Sequence, residues 1–326
     1  MERRDFITLL SGAAAAWPLA ARAQQAGRIY RLGFLIPAGR QAPAVLALFD
    51  ELRSNGFIEG QNLTVITEGF EAIDDRLAER ASALVKAAPD AIVAGPELPL
   101  RALQAVTHTI PLIGMTEDMV AAGLVASLAR PGGNITGISL LSPELDGKRG
   151  EILVEAVPGA HRIAAMADSN VTPTSHIQAL RQAARSRGVE LSVFGVSGSE
   201  EIIPAIDAAK ASGAEALNFL ATPLFSVPGT RNNGIVMKRI AAVRLPAIFQ
   251  WPETAEAGAL AGYGPRFNVY RQRARMVVKI LRGANPADIP VEQPTRFELV
   301  VNLRAAKEID HEIPAALVLR ADKVIE

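Results

Sequence analysis

Short apolar runs rich in β-formers alternate with longer stretches of helical period from Ile29 to the end of the chain. Ile29–Ile36 reads as a buried strand that Pro37-Ala38-Gly39 ends, and Val45, Leu48, Phe49 and Leu52 then share one helical face up to Asn55-Gly56. Leu63–Ile66 and Ala91–Ala94 are further strands, with helices at Asp74–Ala87 and Leu98–His108. Pro111–Met115 and Ile135–Ser139 are two more strands, around a helix expected to start near Asp118. The pattern then restarts. Helices at Pro143–Ala156, Thr174–Arg187, Ser199–Ser212 and Asn233–Val243 intersperse strands at Arg162–Ala167, Leu191–Val196, Ala216–Leu220 and Ala247–Gln250. Such alternation predicts βαβ units and parallel sheets covered on both faces. Two sets of about five strands fit two doubly wound, Rossmann-like α/β lobes better than one sheet of about ten. The last third departs from the rule: a long amphipathic helix over Phe267–Leu281, a proline-rich stretch over Asn285–Pro294, then a strand at Phe297–Val301.

The beginning of the chain has a different character. Arg3-Arg4 and Phe6 lead into an alanine-rich apolar stretch from Ile7 to Leu19, and Ala21-Arg22-Ala23 precedes Gln24-Gln25. A membrane-spanning helix needs ~20 apolar residues, and this one is shorter and broken by Pro18. A basic front and a small-residue end predict a cleaved export signal, residues 1–23, and the arginine pair points to the twin-arginine route. The mature protein is therefore expected in the periplasm. Without residues 1–23 it carries 31 basic and 32 acidic side chains, a net charge of −1. A near-neutral chain has no electrostatic footprint for nucleic acid or anionic membranes. The absence of cysteine excludes disulfides, thiolate metal sites and a cysteine nucleophile.

Catalytic chemistry is thin. Pro37-Ala38-Gly39-Arg40 after the first strand lacks the G-x-G-x-x-G spacing of a dinucleotide turn, and Pro131–Gly137 is glycine-rich but enters a strand instead of leaving one. Gly147-Lys148-Arg149 lacks the rest of a phosphate loop, and no G-x-S-x-G elbow is present. His108, His161, His176 and His311 form no metal-ligand spacing. No catalytic residue, metal or cofactor is expected.

Binding chemistry is better represented. Parallel sheets hold ligands beyond the carboxyl ends of their strands. The candidate wall there comprises Pro37, Ala38, Gly95, Pro96, Glu97, Thr116, Glu117, Asp118, Ser139, Asp168, Ser169, Asn170, Thr222 and Trp251. Several of these can act simply as helix caps. Trp251 and Phe225 are large apolar residues in loops, suited either to a wall for a ring or acyl group or to an aromatic rim closing over the sheet.

Several segments together resemble the ABC-transporter substrate-binding proteins that include the tryptophan- and tyrosine-type receptors. They are Met1–Gln25, Leu128–Gly137, Leu145-Asp146-Gly147-Lys148-Arg149, Tyr263-Gly264-Pro265, Leu281–Pro294 and Arg320–Glu326. The resemblance implies a type I periplasmic binding protein: two α/β lobes joined by crossover hinge strands, with a small ligand trapped between them. It also implies a permease partner in the inner membrane, and a monomeric receptor is expected. With Tyr263-Gly264-Pro265 taken as a hinge crossing, residues 29–138 plus 264–285 form one lobe and residues 139–263 plus 286–326 the other. The loop Gly95-Pro96-Glu97-Leu98-Pro99 departs from the small Gly/Thr/Ser-rich loop of many relatives, stiffening and recharging that wall. The expected function is capture of an amino-acid-like or aromatic/carboxylate solute for import. A sensory module using the same cleft and an exported Rossmann-type enzyme are the alternatives.

Overall fold

A computed structural model describes residues 27–72, 76–140, 142–226 and 230–326. The segment expected to be an export signal, residues 1–23, lies outside the described residues. The first sheet contains β1 (Tyr30–Leu35), β2 (Leu63–Ile66), β3 (Ala91–Ala94), β4 (Leu112–Thr116) and β5 (Ile135–Ser139). Its order is β2-β1-β3-β4-β5 and every pairing is parallel. Parallel strands covered on both faces need side chains that are apolar almost throughout, which is why β3 and β5 are buried at every position. On one face α1 (Pro43–Ser54) contributes Val45, Leu48 and Leu52 to the core; on the other, α2 (Leu77–Lys86) and α3 (Glu97–Gln104) contribute Leu84, Leu100 and Leu103.

The second sheet has the order β12-β11-β10-β9-β8-β6-β7. In chain order it is built from α4 (Ser142–Ala156), β6 (Arg162–Asp168), α5 (Thr174–Arg185), β7 (Glu190–Val196), α6 (Ile202–Ala211) and β8 (Ala216–Phe219). These are followed by α7 (Pro223–Ser226), α8 (Arg231–Val243), β9 (Ala247–Phe249), α9 (Pro252–Glu256) and β10 (Ala261–Gly264). The chain then crosses to the first lobe for α10 (Asn268–Leu281), whose Val269, Ala274, Val277 and Leu281 share a core with α1. It returns for β11 (Glu298–Asn302), α11 (Leu303–Glu308), α12 (Ala315–Arg320) and β12 (Lys323–Ile325). Of the second sheet's pairings, β10 with β11 is antiparallel and the others are parallel. The molecule is thus an α/β protein of two mostly parallel sheets.

Three local differences from the sequence reading have physical causes. First, no helix starts at Asp118. Its carboxylate accepts the Val120 and Ala121 N–H groups at 3.0 Å each, and Gly123 takes a left-handed φ of 65° that ends the turn. Second, Tyr263-Gly264 is the end of a strand, and the crossing begins only after it. Nothing in Ala261–Gly264 is β-branched, but the position requires glycine. A Cβ on Gly262 would lie 2.5 Å from the Trp251 carbonyl oxygen and 2.9 Å from Pro252 Cα. Third, residues 286–292 lie along the first sheet instead of the second lobe. Thr136 Oγ1 donates to the Ile289 carbonyl (2.7 Å), Glu292 N to Gly137 O (2.9 Å) and Ser139 N to Glu292 O (3.0 Å). Pairing of this kind covers the open edge of β5, and Ile289 and Val291 are buried in doing so.

Candidate functional site

The two sheets direct the carboxyl ends of their strands at a common cleft of ≈570 Å³. Its first-lobe wall is built from Pro37 after β1, Pro96 and Glu97 after β3, and Thr116 and Glu117 at the end of β4. Its second-lobe wall holds Asp168 and Asn170 at the end of β6, Ser197–Glu200 after β7, Ala221 and Leu224 after β8, and Asn232 on α8. Beneath it a recess of ≈40 Å³ is bordered by Ala38, Gly95, Gln250, Trp251, Tyr270 and Arg273, together with Pro37, Pro96 and Glu117.

The Asp168 carboxylate is 8% exposed, and neutral groups hold it in place. Its Oδ1 accepts Asn170 N–H and its Oδ2 accepts the Thr222 hydroxyl, both at 2.9 Å. The Asp146 carboxylate, one turn into α4, accepts the Ala221 N–H (3.0 Å) and is ion-paired with buried Arg149. His176 Nε2 lies 2.9 Å from its other oxygen. On the opposite wall Glu97 is paired with Arg101 at 2.7 Å, so the charge this loop introduces is answered locally. Gln250 Nε2 donates to Glu117 Oε2 at 3.1 Å, a direct link between a second-lobe loop and a first-lobe loop.

Two polar atoms on these walls are buried without a hydrogen-bond partner: Thr116 Oγ1 on the first lobe and Asn232 Oδ1 on the second. Their residues are 2% and 6% exposed. Leaving such a group unsatisfied costs about 1–3 kcal/mol, and both residues line the one cleft, so a ligand that reached both atoms through it would recover that cost.

Four expected wall residues are not among those that line the cleft or the recess. The Ser139 hydroxyl accepts Met119 N–H (3.2 Å), Asp118 caps its own turn, Thr222 steadies Asp168, and the Ser169 N–H bonds the Val196 carbonyl (3.0 Å). The aromatic reading changes more. Phe225 is fully buried in the second-lobe core, edge-on to Phe219 at 5.5 Å. Trp251, 2% exposed, packs on Phe267 (5.3 Å) and Tyr270 (6.3 Å) in the first-lobe core and borders the recess. A large apolar side chain following a buried strand gains more from the core than from a wet wall.

Sequence reasoning missed Asp146, His176 and Asn232 because they project from helices. The motif Leu145–Arg149 was the only signal for the first of them. Burial also tunes the floor. It pushes the Tyr270 phenol up to about 12 and the Arg273 guanidinium down to about 10. Arg273 is satisfied by the Ala94 and Ile113 carbonyls, the latter at 2.6 and 3.2 Å. At the crossing, Arg266 joins Glu253 (3.3 Å), Glu256 (2.8 Å) and Glu298 (3.5 Å), and burial raises the pKa of Glu253. Among the described residues no group of three His, Asp or Glu could hold a metal, and no described helix is long and apolar enough to cross a membrane.

The sequence profile of the family described as ABC transporter substrate binding protein matches residues 42–325. The chain belongs to that family. Its members bind solutes and are not enzymes. The chain is 27% identical to the tyrosine-binding protein of Clostridioides difficile over 79% of its own length and 74% of that protein. Among solved structures it resembles a conserved domain protein of Vibrio cholerae, with a TM-score of 0.77 at 25% identity, covering 91% of this chain and 99% of that one. An ABC domain in complex with L-Trp from Streptococcus pneumonia shares the fold, with a TM-score of 0.75 at 22% identity, covering 91% and 100%. The two-lobed type I periplasmic binding architecture is therefore the fold of this chain.

Proposed function

We propose that this protein is the periplasmic receptor of an ABC importer, trapping one small organic solute of amino-acid size between its lobes and presenting the closed form to a permease. The observation that carries the reading is the pair of unsatisfied polar atoms, Thr116 Oγ1 and Asn232 Oδ1, one from each side of a single cleft. A solute that bonds both lobes stabilises only the state in which both are near it, and closure follows as a population shift. A micromolar dissociation constant corresponds to ~8 kcal/mol, within reach of a few desolvated hydrogen bonds and a buried apolar body. The tyrosine-binding relative and the L-Trp complex support an amino-acid-like size. The protein is expected to act as a monomer, without a cofactor or nucleic acid.

The test is a thermal-shift screen of the mature chain against amino acids, amines, organic acids and sugars, followed by small-angle scattering with each hit. A rise in melting temperature accompanied by a smaller radius of gyration supports the reading. A panel without a single hit, or hits that leave the radius unchanged, refutes it. Export is tested separately: Arg3→Lys with Arg4→Lys should hold the precursor in the cytoplasm, and an unchanged periplasmic yield would exclude the twin-arginine route.

A further inference from the structure

We infer that the solute this cleft is built for is a cation, an amine or amidinium carried on an apolar body, and not an acid or a zwitterion; the inference rests on the receptor reading above. Glu97, Glu117, Asp146, Asp168 and Glu200 all line the cleft, and no Lys or Arg is among the described residues that do. Arg101 answers Glu97 and Arg149 answers Asp146. Asp168 and Glu200 form no ion pair with any described residue. They lie at the end of β6 and after β7, which are neighbours in the sheet, so both carboxylates stand on one wall. The partners of Asp168, a backbone N–H and a hydroxyl, fix its orientation without cancelling its charge.

The two unsatisfied atoms give a second, independent indication. The Asn232 amide oxygen only accepts, while the Thr116 hydroxyl can accept as well as donate, and an ammonium or amidinium, a donor with no acceptor capacity, satisfies both. Pro96, Leu98, Pro99, Val171 and Leu224 supply an apolar lining between the charges. A solute carboxylate would meet no Lys or Arg among the described residues that line the cleft itself; Arg40, paired with Glu59, and Arg231 line an adjoining cavity that meets it at Pro37 and Asn232. Arg273 lies beyond a recess of ≈40 Å³ and is bonded to backbone carbonyls. The start of α5, which has no side-chain cap, offers a partial positive pole of about half a charge against whole carboxylates.

Three probes that share one ring separate the charge classes: tyramine (cation), tyrosine (zwitterion) and 4-hydroxyphenylpropionate (anion), with putrescine as a cation that has no ring. Calorimetry on the mature chain at 20 and 200 mM salt should show a cation binding at least tenfold tighter than tyrosine, weakening with salt, and no binding of the acid. Asp168→Asn and, at an exposed position that leaves the fold alone, Glu200→Gln should each weaken the cation about tenfold or more. Their circular dichroism should match that of the wild type. If tyrosine, the acid or a neutral solute binds best, or if both variants bind the cation like the wild type, the charge assignment is overturned while the receptor reading stands. If no solute of any charge binds, the receptor reading fails and the charge assignment falls with it.

Discussion

Replacing Thr116 with valine separates a ligand-seeking hydroxyl from a structural one, because the two roles predict opposite signs for stability. Thr116 is buried at the end of β4, its Oγ1 has no partner, and valine reproduces the shape of the side chain without the hydroxyl. Desolvating a hydroxyl without a hydrogen bond costs about 1–3 kcal/mol, so Thr116→Val should stabilise the ligand-free protein by up to that amount. For a chain of this size the gain corresponds to roughly 1.5–2 °C in melting temperature per kcal/mol. Affinity should move the other way. One lost hydrogen bond of about 0.5–1.5 kcal/mol weakens binding roughly two- to tenfold. Thr116→Ser is the control: it keeps the hydroxyl, loses a buried methyl, and should lower stability while retaining most of the affinity. Thermal unfolding of the ligand-free variants and calorimetry with the tightest cation from the probe set provide both numbers. A Thr116→Val protein less stable than the wild type would show that the hydroxyl is already satisfied. Equal affinity in the valine variant would remove it from the site.

Three further outcomes follow from the same geometry. Asp146→Ala should cost about 3–5 kcal/mol in chemical denaturation, because the buried Arg149 guanidinium loses its carboxylate and Ala221 N–H loses its acceptor; a loss below 1 kcal/mol would contradict the buried pair. Gly262→Ala should cost about 1–3 kcal/mol, since its Cβ meets backbone atoms of Trp251 and Pro252 that cannot swing aside; a denaturation midpoint like the wild type's would refute the close approach. Glu253→Gln should change stability with pH in a definite direction. Burial raises the Glu253 pKa above its ordinary 4.5, so the fold favours the protonated form, and that contribution is lost as pH rises through the folded value. Glutamine never ionises, so the variant should be the more stable protein at pH 7 and lose that advantage as the pH falls towards 4; an advantage that grows on acidification would reverse the sign.

Both lobes were legible in the chain because parallel strands buried on two faces leave uninterrupted apolar runs. Leu63–Ile66, Ala91–Ala94 and Ile135–Ser139 have the same limits in sequence and structure. β10 was not legible, because its identity lies in what it lacks: side chains at Gly262 and Gly264 would collide with the loop after β9, so the strand carries no β-former signal there. Residues 286–292 misled for a related reason. Proline suggests a linker, yet a segment that borders a sheet edge through a few hydrogen bonds needs few donors and tolerates it. At the cleft, the rule that ligands lie beyond strand ends located Thr116, Glu117, Asp168 and Asn170 along the walls. It could not locate Asp146, His176 or Asn232, whose helices bring them in from the side. Trp251 and Phe225 were visible as large apolar loop residues, but only three-dimensional packing shows that their rings turn to the core.

The placement of the arginines ties the buried hinge to the charge of the cleft. Arg149 and Arg273 are fully buried next to the site, and both point their guanidinium groups at backbone carbonyls, Tyr263 O for one and Ala94 O and Ile113 O for the other. They brace the strands that carry the walls, and the cleft itself is left with carboxylates from both lobes besides Glu97, which Arg101 answers: Glu117 on one side, Asp168 and Glu200 on the other. Bringing the lobes together concentrates like charge in a space with less water, where the effective dielectric falls and repulsion grows. A neutral or anionic solute leaves that opposition in place; a cation cancels it at the moment of closure. Under the inferred charge class, the same groups that select the solute therefore also hold the empty receptor towards its open state, and selectivity and closure become one electrostatic event.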